Sequence, residues 1–234
     1  MKQSWADLLF LHWPLDPGEV QRTLPPGLAV DVHEDRAWLG IVPFFMHSVR
    51  PAGFSAVPWL SRFMEMNVRT YVRDAAGRPG VWFYSLDCNR WPAVEIARKW
   101  FNLPYQHAAM KAEREDDGRT ILYHCRRRGG AGRREAAFRY RAEGDVYTAS
   151  KGSLEFFLTE RYRLFAWNGK RRQLHCGEVL HRPYPLQSVE VSQWSAEPAL
   201  WNGDFVLEGP PAVQHFSAGV DVEIFPLRQC GSGP

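Results

Sequence analysis

The fold is predicted from one stretch, residues 80–110, which has the sequence GVWFYSLDCNRWPAVEIARKWFNLPYQHAAM. Residues 81–84 are β-formers with no glycine or proline among them, so they predict a strand. Pro92 suits the first position of a helix, and apolar residues then recur at helical spacing up to Phe101. Pro104 ends that helix, because the residue before a proline disfavours the helical conformation. A functional site could lie at either junction of this segment, where the strand meets the helix or where the chain leaves the helix at Pro104.

Strand-like segments recur on both sides of that stretch and are separated by turn signals. They cover residues 6–13, 28–32, 37–45, 65–73, 120–128, 134–142, 159–167, 171–181, 186–193 and 219–227. The other predicted helices are short and lie after the N-cap Asp16, at residues 153–158 and at residues 195–201. We therefore expect a mainly β protein of the α+β class, a barrel or sandwich with helical additions.

No linker and no internal repeat divides the sequence. We predict a single domain over residues 1–234, with a core at about residues 6–227 and a frayed tail at residues 229–234. Hydrophobic residues make up 45% of the chain, which is sufficient for a sizeable core. The ten tryptophans either fill that core or line a concave apolar pocket.

The charges are nearly balanced, with 29 basic and 26 acidic residues. This balance does not indicate a nucleic-acid partner. An arginine-rich, glycine-rich loop spans residues 126–134, but no aromatic residue interleaves it as a base-stacking site would need. We expect this loop to be a solvated hairpin tip.

Targeting, membrane and metal signals are missing from the sequence. The N-terminus has no signal-peptide pattern and no apolar run has membrane-spanning length, so we expect a cytoplasmic protein without a membrane partner. The four cysteines are scattered, and we expect them to be reduced. His175 and His181 would lie about 20 Å apart on one strand, too far apart to share a metal ion. We predict no metal and no cofactor.

Two segments could contribute polar side chains to a site. In residues 65–73 the pattern alternates, and Glu65, Asn67 and Arg69 fall on one face, which either contacts solvent or forms the polar wall of a pocket. In residues 153–162, aromatic residues mix with charged ones around Glu160. Buried against an arginine, Glu160 would form a structural ion pair; facing a cavity, it would be a candidate acid or base. Both alternatives remain open for each segment.

Seven motifs carry a family resemblance. They are FLHWP at 10–14, LPPGL at 24–28, WLGIVPF at 38–44, EMNVRTYV at 65–72, GVWF at 80–83, LPY at 103–105 and FLTERY at 157–162. Together they resemble the bacterial DUF2071 family, the YqjF-like proteins, over nearly the whole chain. The resemblance implies an acetoacetate decarboxylase-like fold: a curved antiparallel sheet or β-barrel around a central cavity, with few short helices. It implies no established reaction.

This sequence departs from the pattern of acetoacetate decarboxylase at the lysine that forms the Schiff base in that enzyme. In that enzyme a Leu-Asp pair is followed by a helix containing Pro-Ala and an arginine, and then by Pro-Lys-Lys, whose first lysine forms the Schiff base. The matching residues here are Leu86-Asp87, the helix with Arg98, and Pro104-Tyr105. A phenol cannot form an imine, so the resemblance implies the scaffold without Schiff-base chemistry. Glu65 roughly matches a pocket carboxylate of that enzyme.

The predicted site combines groups for proton transfer with groups that bind a carboxylate. The proton-transfer candidates are Tyr105, Glu65 and Glu160, and the ligand-binding candidates are Arg69, Asn67 and Arg98. Arg98 could instead have a structural role, in which it holds Asp87. We expect a protein that binds or transforms a small organic acid or carbonyl compound. The alternatives are a non-catalytic ligand-binding or interaction module and a structural protein. A homo-oligomer is a further expectation, because exposed edge strands favour pairing.

Overall fold

The computed structural model describes residues 1–50, 62–90, 103–129, 134–202 and 205–230. These residues form thirteen strands and three short helices. The strands are β1 (Lys2–Leu15), β2 (Leu28–Val30), β3 (Ala37–Arg50), β4 (Arg62–Asp74), β5 (Pro79–Cys88), β6 (Tyr105–Arg114), β7 (Ile121–Arg127), β8 (Ala136–Tyr147), β9 (Arg163–Asn168), β10 (Gln173–His181), β11 (Leu186–Gln193), β12 (Val213–Ile224) and β13 (Arg228–Gln229). The helices are α1 (Pro17–Gln21), α2 (Leu154–Thr159) and α3 (Glu197–Leu200). The predicted mainly β fold with few short helices is confirmed.

All the strands belong to one sheet, which closes on itself. The hydrogen-bonded order β5-β6-β7-β8-β11-β12-β1-β3-β4 returns to β5, because β4 also pairs with β5. β9 and β10 form a second path, since β9 pairs with β5 and β10 pairs with β12. Closure of this kind removes most free sheet edges and encloses an interior.

The sheet is mixed, whereas the sequence predicted an antiparallel one. β5 pairs in parallel with β6, where Leu86 lies opposite Tyr105, and in parallel with β9. A parallel pair needs a crossover connection instead of a tight turn, and the chain between β5 and β6 provides its length. The helix predicted around Arg98 belongs to that connection and lies outside the described residues, as do the tip of the arginine-rich loop and the last four residues of the tail.

Two local predictions had different outcomes. The N-cap predicted at Asp16 is confirmed, because the Asp16 side chain accepts a 2.9 Å hydrogen bond from the Glu19 backbone N–H at the start of α1. The strand predicted at residues 159–167 begins only at Arg163. The preceding α2 helix, which Ser153 caps by accepting a hydrogen bond from the Phe156 N–H, continues to Thr159.

The largest core cluster lies between the walls of the closed sheet. It combines apolar side chains of β1, β3 and β4 with aromatic side chains of β7 and β8, among them Leu9, Ile41, Val68, Tyr123 and Phe138, all fully buried. Among the described residues, no helix has the length and apolar character needed to cross a membrane.

Candidate functional site

A cavity of about 70 Å³ lies inside the sheet and is lined by residues of β1, β3, β4, β5, β6, β9, β10 and β12. Most of its wall is apolar. The described polar side chains on that wall are Gln3, Glu65, Asn67, Arg69, Tyr105, Thr159, Arg161 and Tyr184. Four residues proposed from the sequence, Glu65, Asn67, Arg69 and Tyr105, are therefore brought to one enclosed space.

Strand β4 supplies three of these four residues through its alternation. Glu65, Asn67 and Arg69 face the cavity, while Met66 and Val68 pack into the main core cluster. Each of the three polar residues is less than a tenth exposed. Of the two alternatives for this face, the structure therefore favours the cavity wall over the solvent-exposed surface.

Glu65 and Tyr105 form a direct pair across β4, β5 and β6. The Tyr105 hydroxyl donates a 3.0 Å hydrogen bond to Glu65 Oε2. Burial raises the pKa of Glu65 to about 8, against the opposing effect of that hydrogen bond and with a further increase from the charge of Asp87. Glu65 is therefore mostly protonated at pH 7. Burial, followed by the Glu65 charge, holds the pKa of Tyr105 well above its usual value, so Tyr105 remains a neutral donor.

Asp87 lies behind this pair and is neutralised by an arginine that the sequence did not identify. Arg127 Nε and Nη2 each donate a 2.7 Å hydrogen bond to the two oxygens of the fully buried Asp87 carboxylate. Ser85 and Asn202 complete the network, since the Asn202 amide donates to Ser85 Oγ, which donates to Asp87. Arg127 thus holds Asp87, the role that the sequence considered for Arg98.

A usable signal for Arg127 was present in the sequence. Ile121, Tyr123 and Cys125 alternate on the buried face of β7, and the same period of two places Arg127 on that face. The neighbouring arginines made residues 126–134 resemble a solvated loop. Arg127, which forms the buried ion pair with Asp87, is the second residue of that predicted loop.

Arg69 is the least compensated charge on the cavity wall. Its side chain is 7% exposed, and Nη2 donates a 3.1 Å hydrogen bond to the Leu158 carbonyl. The guanidinium lies 5.5 Å from the ring centroid of Phe10 and 5.6 Å from that of Tyr71. Its Nε is buried without a hydrogen-bond partner, and no carboxylate of the described residues is within ion-pair distance. Within the same described ranges, the Oδ1 atom of Asn67 is likewise buried and unpaired.

Arg161 is a second arginine on the wall, but its charge is satisfied. Its Nη1 contacts Asp31 Oδ2 at 2.7 Å, and its Nε donates to the Phe157 carbonyl at 2.6 Å. The guanidinium also lies 4.1 Å from the centroid of the Phe157 ring. Arg161 was not predicted from the sequence, because its partner Asp31 is far away along the chain. Of the two arginines on the wall, Arg69 is the one without a carboxylate partner in the described part of the chain.

A buried hydrogen-bonded chain supports the position of Arg69. The Tyr71 hydroxyl donates to the Leu158 carbonyl at 2.8 Å, so it must accept from His12 Nε2, which lies 2.6 Å away. Burial, and then the charge of Arg69, hold the pKa of His12 well below its usual value. Gly40 pairs with both His12 and Arg69 across the sheet, and a Cβ atom there would lie 3.0 Å from His12 Nε2. The small residue leaves room for the imidazole.

Glu160 is not brought to this group. Glu160 does not appear among the described residues that line the cavity. Its carboxylate accepts a 2.9 Å hydrogen bond from the Tyr184 backbone N–H and a short one from the Tyr162 hydroxyl. These bonds position the segment that carries Tyr184, and they replace the ion pair with an arginine that the sequence considered. Arg98 lies outside the described residues.

The described ranges contain no group of three or more histidine, cysteine, aspartate or glutamate side chains arranged to hold a metal ion. The described wall of the cavity carries a neutral carboxyl group, a phenol, an amide and a guanidinium.

Comparison with known proteins identifies the family. Residues 2–221 match the model of the DUF2071 family, which is described as an uncharacterised conserved protein. The chain belongs to the DUF2071 family. The uncharacterised protein YqjF of Bacillus subtilis is 36% identical over 231 residues, which cover 98% of this chain and 92% of YqjF.

Solved structures share the fold of this DUF2071 protein. The enduracididine biosynthesis enzyme MppR superposes with a TM-score of 0.64 at 13% identity, covering 97% of this chain and 88% of MppR. Acetoacetate decarboxylase from Legionella pneumophila gives a TM-score of 0.63 at 15% identity, with 98% and 88% covered. An acetoacetate decarboxylase-like enzyme from Sphingomonas wittichii RW1 gives 0.60 at 16% identity, with 97% and 92% covered. The acetoacetate decarboxylase-like fold implied by the sequence is confirmed.

Proposed function

We propose that the protein binds a small carboxylic acid in the cavity, with Arg69 receiving its carboxylate. The observation that carries this proposal is the buried guanidinium of Arg69, which has an unpaired Nε and no counter-ion among the described residues. An uncompensated charge in a protein interior costs several kcal/mol. A ligand carboxylate would offset that cost through charge-assisted hydrogen bonds, which are stronger than neutral ones.

The size of the cavity restricts the ligand. One water molecule needs about 10–15 Å³ of such space, and the cavity offers about 70 Å³. This volume favours a ligand with few non-hydrogen atoms, such as a short oxo acid. MppR, which shares the fold, has been solved in complex with pyruvate, and that complex supports the same class of ligand for this chain.

The Glu65–Tyr105 pair supplies the chemistry that we propose for the bound acid. A carboxyl group with a pKa near 8 is close to the optimum for proton transfer at neutral pH. Because Tyr105 donates to Oε2 of the protonated carboxyl, the Glu65 proton belongs on Oε1. We propose that Glu65 donates this proton to the carbonyl oxygen of the ligand, and that the resulting carboxylate removes a proton from the adjacent carbon, which gives the enol and restores the neutral carboxyl group. Tyr105 fixes the orientation of the carboxyl group.

We propose that this reaction does not pass through an imine. The resemblance in the sequence implies that Tyr105 replaces the Schiff-base lysine, and no lysine is among the described residues that line the cavity. Lys99 lies outside the described residues, so borohydride trapping with acetoacetate and pyruvate is the direct test. Formation of a stable adduct on any lysine would contradict this part of the proposal.

The binding proposal is tested by calorimetric titration of acetate, pyruvate and acetoacetate. We expect binding to the wild type and at least a tenfold loss of affinity in Arg69→Met, because the apolar side chain cannot receive a carboxylate. Arg141→Met is the matched control, since the Arg141 side chain is 40% exposed on β8. Equal affinities for the wild type and Arg69→Met would refute the assignment of Arg69.

Catalysis is tested separately from binding. Exchange of the methyl protons of pyruvate for deuterium, followed by NMR, reports proton transfer without requiring a known product. We expect exchange in the wild type and its loss in Glu65→Gln, with ligand affinity retained. Binding without any exchange of the methyl protons would indicate that the protein binds its ligand without catalysis.

A further inference from the structure

Two cysteines meet on the outer part of the sheet, away from the cavity. β13 pairs antiparallel with β10, so that Cys176 lies opposite Arg228, and the Cys230 N–H donates to the Leu174 carbonyl at 2.8 Å. This register places Cys176 and Cys230 on the same face of the sheet, as diagonal neighbours on adjoining strands. The two thiols lie close enough to interact electrostatically.

The exposure of this pair distinguishes it from the other two thiols. Cys176 and Cys230 are both partly exposed, whereas Cys88 and Cys125 are fully buried. The pair packs against Leu174 and neighbouring apolar side chains on its inner side. A soluble oxidant can therefore reach the first two sulfur atoms but not the other two.

Among the described residues, Arg78 and Asp74 interact electrostatically with the pair, and Arg228 lies opposite Cys176. Arg78 interacts electrostatically with both thiols, while its guanidinium is also paired with Asp74 at 2.6 Å. Burial, and then the adjacent Cys176, raise the pKa of Cys230 to about 12. Cys230 therefore keeps its proton, which assigns Cys176 as the thiol that reacts first.

We infer that Cys176 and Cys230 form a reversible intramolecular disulfide, which is a site of oxidative modification in this protein. The oxidant is a hydroperoxide. The Cys176 thiolate attacks one peroxide oxygen and displaces the other as water after protonation, giving a sulfenic acid. The Cys230 sulfur then attacks the Cys176 sulfur, and the sulfenic oxygen leaves as a second water. The two thiols lose two electrons and two protons, and the peroxide gains them.

Sheet geometry makes this disulfide strained and therefore easily reduced. Diagonal neighbours on paired strands have Cα atoms about 7–8 Å apart, at or beyond the upper limit of about 7 Å for a disulfide. One strand must shift, and β13 is the one with only two residues, at the end of the sheet order. Strained disulfides have higher reduction potentials, which suits a reversible bond in a reducing compartment.

The experiment is oxidation of the native protein by equimolar hydrogen peroxide, followed by non-reducing peptide mapping. Trypsin cleaves after Arg228 but not after Arg182, which precedes a proline, so Cys176 and Cys230 fall in two different peptides. We expect a link between residues 173–228 and 229–234, an intact mass lower by two hydrogens, and full reversal by dithiothreitol. Cys88 and Cys125 serve as internal controls and should remain as free thiols.

Variants decide between a pair and two independent cysteines. Cys176→Ser should abolish the link and leave Cys230 reduced, whereas Cys230→Ser should let Cys176 accumulate as a sulfenic acid that dimedone traps. Sulfinic acids formed separately on both cysteines of the wild type, cross-links only between different chains, or no reaction at either thiol would overturn the inference. None of these readouts depends on the cavity or its ligand.

Discussion

Replacing Glu65 with glutamine should remove a pH dependence of stability that we can calculate. The carboxyl is 2% exposed, and its pKa rises from an ordinary value of 4.5 to about 8 in the folded protein. Below pH 4.5 the group is protonated in both the folded and the unfolded state. Between pH 4.5 and pH 8 only the unfolded state releases the proton, so the free energy of unfolding falls as the pH rises.

The magnitude follows from the gap of about 3.5 between the two pKa values. At 1.36 kcal/mol for each pKa unit, the wild type loses about 5 kcal/mol of stability from this group between pH 4 and pH 9. About 3 kcal/mol of that loss falls between pH 5 and pH 7. The glutamine side chain of the variant cannot ionise and still accepts the hydrogen bond of Tyr105, so Glu65→Gln should lack this loss.

Urea denaturation of the wild type and Glu65→Gln at intervals from pH 5 to pH 9 measures the difference directly. We expect the variant to gain stability relative to the wild type as the pH rises. Glu113→Gln is the control, because the side chain of Glu113 is 52% exposed. If the two stability curves stay parallel across this range, Glu65 is already ionised in the folded protein and the proposed proton donor is lost.

Three further substitutions test the surroundings of the cavity. Arg127→Met leaves the fully buried Asp87 carboxylate unpaired; it should cost about 3–5 kcal/mol in urea denaturation, and a cost below about 1 kcal/mol would contradict a buried ion pair. Gly40→Ala places a methyl group 3.0 Å from His12 Nε2 and should cost about 1–3 kcal/mol in thermal denaturation; an unchanged melting temperature would show that the imidazole can move. Tyr71→Phe removes the acceptor of His12 Nε2–H and should cost about 1–3 kcal/mol in urea denaturation. An unchanged free energy of unfolding would contradict the assigned tautomer of His12.

The polar wall of the cavity could be predicted from the sequence because it depends on a local period. Alternation over residues 65–73 places Glu65, Asn67 and Arg69 on one face whatever the rest of the chain does, and only the choice between solvent and cavity needed the structure. The contact of Tyr105 with Glu65 is different. It follows from the parallel pairing of β5 with β6, and only the family resemblance suggested that position.

Long-range partners were not predictable from spacing. Arg127 reaches Asp87 across 40 residues, and Arg161 reaches Asp31 across 130. Patterns in a single sequence report the face of an element, not the element that covers it. The strand predicted at residues 159–167 begins only at Arg163, because the preceding helix continues to Thr159.

The closed order of the strands also has a consequence for biosynthesis. β1 is paired on one side with β3, which follows soon after it, and on the other side with β12, where Lys2 lies opposite Glu223. During synthesis, β1 must therefore wait for β12 before its second edge is covered. Contacts of such high sequence separation slow folding and leave an unpaired, apolar edge exposed in the nascent chain.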